Sequence, residues 1–106
     1  MIGSSRIERI RRLLASGRFE FSRHAFRRAV GRNISEQEVR QAGEQAELIE
    51  DYPDDKYSSS CLVVGFTKAK RPLHLQVSVQ ESDEVKIITL YQPGEDEWDR
   101  SYSKRR

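Results

Sequence analysis

The feature that most constrains this chain is a change of hydrophobic period near Leu48. Before it, apolar residues recur every three or four positions; after it, they alternate, as in Leu73, Leu75, Val77 and Val79, or run together, as in Cys61-Leu62-Val63-Val64. One kind of element cannot serve both periods, so the chain is predicted to fold as helices followed by strands. The helical half carries three starts, each with a serine. Ser5-Arg6-Ile7-Glu8 has capping-box form and leads into Ile7, Ile10, Leu13 and Leu14, with Gly17 as the stop. After Phe19 and Phe21, which straddle Glu20, Ser22 caps a second helix predicted over 23–30 and stopped at Gly31. Its amphipathic pattern is Ala25, Phe26, Ala29 and Val30. Ser35-Glu36-Gln37-Glu38 repeats the capping box, and Val39, Ala42 and Ala46 mark the buried side of a third helix.

In the second half, strands are predicted over 48–52, 60–67, 73–80 and 85–91. Pro53-Asp54-Asp55 and Glu81-Ser82-Asp83 supply turn residues, and Lys68-Ala69-Lys70-Arg71-Pro72 forms a basic connection. Leu73, Leu75, Val77 and Val79 alternate with His74, Gln76, Ser78 and Gln80, while Val85, Ile87, Thr89 and Tyr91 are expected on one face of the last strand. The expected class is therefore α+β, with N-terminal helices packed on a four-stranded antiparallel sheet. One domain is expected over residues 1–100, with Trp98 packing back on it and 101–106 a frayed basic tail.

At 106 residues such a domain can bury a core without disulfides or metals. The one cysteine, Cys61, opens the apolar run Cys61-Leu62-Val63-Val64 and reads as a buried small hydrophobe. No apolar stretch has the length of a membrane span or a signal core, so a soluble protein of the reducing cytosol is expected. The net charge of +2 conceals segregation. Residues 1–32 hold nine arginines against two glutamates, +7; residues 33–55 hold one arginine against eight acids, −7; the remainder adds +2. A basic face for a polyanion would explain this, and arginine favours bidentate grip on phosphate. Solvated helix surface and internal ion pairs would explain it equally.

Phe21-Ser22-Arg23-His24-Ala25-Phe26-Arg27-Arg28 carries the most chemistry. His24 and Arg28 are four apart and share a helical face. A guanidinium beside an imidazole suits phosphate chemistry, since one holds the anion and the other moves a proton near neutrality. A capped, half-buried helix histidine is the plainer alternative. His74 leads the polar face of its strand and reads as accessible, so a pair of histidines is conceivable. Tyr91 and Thr89 could offer hydroxyls to a phosphate, or Tyr91 could simply close the core. There is no nucleotide-binding glycine motif, no HExxH and no Cys/His ligand spacing. Asp51, Asp54 and Asp55 read as a solvated turn in preference to a metal site.

Phe21-Ser22-x-His24-Ala25-x-x-Arg28, then Arg32-Asn33-Ile34-Ser35 with Glu38-Val39, resembles the opening signature of the bacterial family called domain of unknown function 4258. The later segments 48–55, 61–66, Arg71-Pro72-Leu73-His74-Leu75 and Ile88-Thr89-Leu90-Tyr91-x-Pro93 with Trp98 follow in the same order. Where relatives have a methionine after the arginine, this chain has Ala29. The resemblance implies placement near the RelE/ParE-type toxins, a helical segment on an antiparallel sheet. Such proteins often cut RNA without metal and are often encoded beside an antitoxin.

Carried over by position, the motif residues are His24, Arg28, Arg32, His74 and Tyr91. The implied function is a metal-independent endoribonuclease that cleaves single-stranded RNA through its 2′-OH, with no cofactor and with an antitoxin as partner. His24 and His74 would move protons, Arg28 with Arg32 would stabilise the phosphoryl oxygens, and Tyr91 would position the phosphate or stack a base. Arg27, Arg32, Lys70 and Arg71 would bind RNA. The alternative is a non-catalytic, toxin-like module that binds a protein partner, with the acidic third helix and its flanking strand as the partner face. Nothing resembles a recognition helix for DNA.

Overall fold

The computed structural model describes residues 2–53, 59–80 and 83–105. The elements in order are α1 (Ile2–Ala15), β1 (Phe19–Phe21), α2 (Arg23–Gly31), α3 (Glu36–Glu44), β2 (Glu47–Tyr52), β3 (Ser60–Phe66), β4 (Pro72–Gln80) and β5 (Glu84–Tyr91). The class is α+β, but the sheet differs from expectation. It has five strands in the order β1-β5-β4-β3-β2, and β1 lies parallel to β5. Three residues are too few to display a period, which is why Phe19-Glu20-Phe21 reads as a link in the sequence. Its rings are half-buried and meet edge to face at 5.7 Å. The other pairings are antiparallel.

The serine caps decide where α2 and α3 begin. Ser22 Oγ accepts from the Ala25 amide at 3.0 Å, and Ser35 with Glu38 forms the full capping box. Each cap of this kind is worth roughly 1 kcal/mol. In contrast, α1 starts at Ile2, ahead of the Ser5 box. Ile10, Leu13 and Leu14 of α1, Val39 and Ala42 of α3, and Ala46 just beyond it are buried against one face of the sheet. Glycine permits the closest approach: a Cβ on Gly65 of β3 would overlap the Ala42 carbonyl of α3.

That face receives Leu73, Leu75 and Val77 of β4 with Val85, Ile87 and Leu90 of β5. A register shift between Gln76 and Val77 changes the parity of β5. Val85 and Ile87 therefore point toward the helices, while Tyr91 and Thr89 stand opposite His74 and Gln76 on the other face. Sharing one face with Val85 and Ile87, as the alternation predicts, is ruled out by this bulge.

The second face is covered over much of its area, with Leu62, Val64, His74 and Ser78 buried there. Residues 94–105, expected to end in a frayed tail, fold across it. Trp98 is buried and bridges to Arg105, whose guanidinium lies 5.0 Å from the indole. Asp99 gathers the amides of Ser101, Ser103 and Lys104, and Tyr102 packs its ring against Phe66. Cys61 is buried as expected, and burial pushes its thiol pKa up. Asp54, Asp55, Glu81 and Ser82 lie outside the described residues. Among those described, no helix is long and apolar enough to cross a membrane.

Candidate nucleic-acid interface

The arginine-rich half of the sequence divides in two once folded. The arginines of α1 are largely committed inside the molecule. Arg6 pairs with Asp51 at 2.7 Å, Arg9 with Asp83 at 2.7 Å, and Arg11 donates to the Ala46 carbonyl at 2.7 Å. For these side chains, internal partnership accounts for the charge. On α2 it does not. Among the described residues, no carboxylate pairs with Arg23, Arg27, Arg28 or Arg32.

Local chemistry fixes how α2 presents them. Ser22 Oγ donates to the Ile88 carbonyl at 2.8 Å while its amide bonds the Ile87 carbonyl at 2.9 Å, so the cap also pins the helix to the bulge of β5. Ala25 and Ala29 then bury against the sheet, small enough to let the helix lie close. The opposite flank must face outward. His24, Arg27, Arg28, Gly31 and Arg32 line a shallow depression of 420 Å³ there. Four of the nominated residues are thus brought together, and Arg23, one turn before Arg27, joins them. Arg23 was legible through that spacing but carried no motif position.

His74 is elsewhere. Its neighbours Leu73 and Leu75 point to the helices, so its own side chain points to the opposite face, beneath residues 94–105. It is 0% exposed. Nε2 lies 2.7 Å from the Tyr102 carbonyl, which can only accept, so Nε2 carries the proton. In the neutral ring Nδ1 then accepts from the Tyr91 hydroxyl at 3.1 Å. Trp98 meets the imidazole edge-on at 4.5 Å. Burial pushes the His74 pKa down, offset in part by the bond to Tyr102, and burial raises that of Tyr91. The expectation of an accessible His74 sharing a cleft with His24 is overturned. α2 sits on one side of the sheet and the His74 ring on the other.

A signal for this existed: β3 is apolar on both faces, with Leu62 and Val64 standing beside Gln76 and His74. A strand buried twice implies that something covers the second face.

Arg71 is likewise structural. Its guanidinium donates to the Arg32 and Asn33 carbonyls at 2.9 Å, to both Glu38 oxygens at 3.0 and 3.1 Å, and to Gln92 at 2.8 Å. Glu38 is held below the usual carboxylate range by the Ser35 amide and by Arg71. The start of β4 is thereby stitched to the α2–α3 connection, with most of the guanidinium's donors spent inside the molecule. Lys70 stands exposed in the β3–β4 turn at φ 72°. Phe26 and Val30 also depart from expectation: instead of joining the buried stripe they are 58% and 66% exposed. No group of three His, Cys, Asp or Glu side chains among the described residues could hold a metal.

The family model described as Domain of unknown function (DUF4258) matches residues 21–92. This chain belongs to that family. The DUF4258 segment starts just before α2 and ends just past β5, so it contains the arginine flank and His74. Trp98 and Tyr102, which seal His74, lie beyond it. No curated protein and no solved structure matches the chain.

Proposed function

We propose that this DUF4258 protein binds single-stranded RNA along the outward flank of α2 and cleaves it without metal, as a RelE/ParE-type toxin partnered by an antitoxin. The observation that carries the reading is the set of four unpaired arginines beside an exposed histidine on one helix flank. Guanidinium groups without internal partners are free to neutralise phosphates, which is the dominant source of nucleic-acid affinity. Ser22-x-His24-Ala25-x-x-Arg28 lies in the matched DUF4258 segment, and the placement near RelE/ParE-type toxins that this family resemblance implies points in the same direction.

In the reaction, the ribose 2′-oxygen attacks its own phosphorus and the bond to the 5′-oxygen breaks. His24 takes the 2′-OH proton, Arg28 and Arg32 hold the phosphoryl oxygens, and solvent at this open surface protonates the leaving 5′-oxygen. His74 and Tyr91 have no part in the step. The burial of His74, bonded to the half-buried Tyr91 on the far face of the sheet, also favours a second reading, an RNA-binding module without catalysis, because it leaves His24 as the accessible imidazole for two proton transfers.

The test is a labelled RNA oligonucleotide incubated with protein in EDTA, with binding followed by anisotropy and cleavage by gel. Cleavage is expected, slowed about 100-fold or more in His24→Ala with little change in affinity. Binding without cleavage by the wild type selects the second reading; neither binding nor cleavage overturns both.

A further inference from the structure

Phe26 and Val30 are the unusual residues of α2. They lie one helical turn apart, so their side chains are neighbours, and both stand open to solvent. Arg23 precedes Phe26 by three residues and Arg27 precedes Val30 by three, which sets an unpaired guanidinium against each along one side of the pair. Ala25 and Ala29 close the other side against the sheet.

We infer that Phe26, floored by Val30, is a stacking site for an unpaired base of RNA. This rests on the RNA-binding reading above and adds what that reading lacks, a reason to prefer single strands. Phosphate contacts alone would accept duplex and single strand alike. An exposed aromatic ring takes the face of any base that is not already stacked in a helix, and does so without reading its sequence. Charge complementarity favours this occupant. The apolar surface is only two side chains wide and is bordered by cations, so it suits a flat ring carried on a polyanion better than a broad apolar protein face.

The experiment compares wild type, Phe26→Ala, Phe26→Trp and Arg27→Gln, binding a uridine-rich single strand that contains one fluorescent 2-aminopurine, and binding an RNA duplex. The base analogue is expected to be quenched by wild type and by Phe26→Trp. Phe26→Ala is expected to lose the quenching and to bind the single strand about tenfold more weakly, with duplex affinity unchanged. Arg27→Gln is expected to weaken both. Phe26 is exposed, so these variants test binding and not folding. If Phe26→Ala keeps wild-type affinity while Arg27→Gln loses it, the stacking site is wrong, RNA binding stands, and the patch belongs to a protein contact. An equal loss on single strand and duplex also overturns stacking. If wild type binds neither RNA, the RNA reading falls and this inference falls with it.

Discussion

Replacing His74 by alanine should unfold the protein far more readily without touching the surface of α2. The imidazole makes two hydrogen bonds, to the Tyr102 carbonyl and the Tyr91 hydroxyl, and an edge contact with Trp98. Stranding the two polar partners costs about 1 kcal/mol each where water can partly enter, and more where it cannot. The lost ring contact and the cavity add about 2 kcal/mol. The total, about 4 kcal/mol, is a large share of the 5–15 kcal/mol of a typical domain. It should lower the melting temperature by roughly 15–30 °C. His24→Ala, on an exposed helix flank, should stay within about 0.5 kcal/mol of wild type. Denaturant unfolding with RNA binding measured on the folded fraction separates the two residues. A His74→Ala protein as stable as wild type would refute the account of the second sheet face.

The same site sets a pH dependence. The His74 pKa is depressed below 6.5 in the folded chain, so the unfolded state binds the extra proton first as pH falls. Stability is fully present above pH 6.5 and declines below it, with a slope of up to one proton, about 1.4 kcal/mol per pH unit. In His74→Gln that component should vanish; an unchanged acid limb would contradict it. Gly65→Ala should destabilise by about 3 kcal/mol, since its Cβ meets the α3 backbone at Ala42 and not a side chain that can swing away; chemical denaturation is the check. Arg71→Ala should cost about 2 kcal/mol by loosening the α2–α3 connection while leaving the salt dependence of RNA binding unchanged, as its charge is already paired with Glu38. Burial and Glu50 push the Tyr52 phenol up to about 12. Its contribution to stability is therefore fully present below pH 10 and lost as pH rises from 10 to about 12. An absorbance titration of wild type minus Tyr52→Phe should centre there, and a curve centred near 10 would refute it.

Helix positions were legible because capping serines and a 3.6-residue period are local properties. Ser22 and Ser35 act where the sequence places them. Alternation in β4 was also legible, and it correctly separated Leu73 from His74. Alternation assigns a side chain to a face but is silent on what covers that face, and residues 94–105 have no period to announce that they cover it. The β5 bulge was hidden for a related reason: one extra residue inverts every later position without altering composition. Charge density marked α1 and α2 alike. Only the folded positions of Asp51, Asp83 and the Ala46 carbonyl show that α1 spends Arg6, Arg9 and Arg11 internally while the arginines of α2 have no such partners among the described residues.

The central claim is that the free cations of α2 grip a phosphate backbone, and salt dependence measures it most directly. With four arginines engaged on a single strand, log K should fall against log salt concentration with a slope of about −3. Removing two charges in Arg27→Gln/Arg28→Gln should bring the slope to about −1.4. A wild-type affinity insensitive to salt, or a slope that the double substitution leaves unaltered, would contradict it.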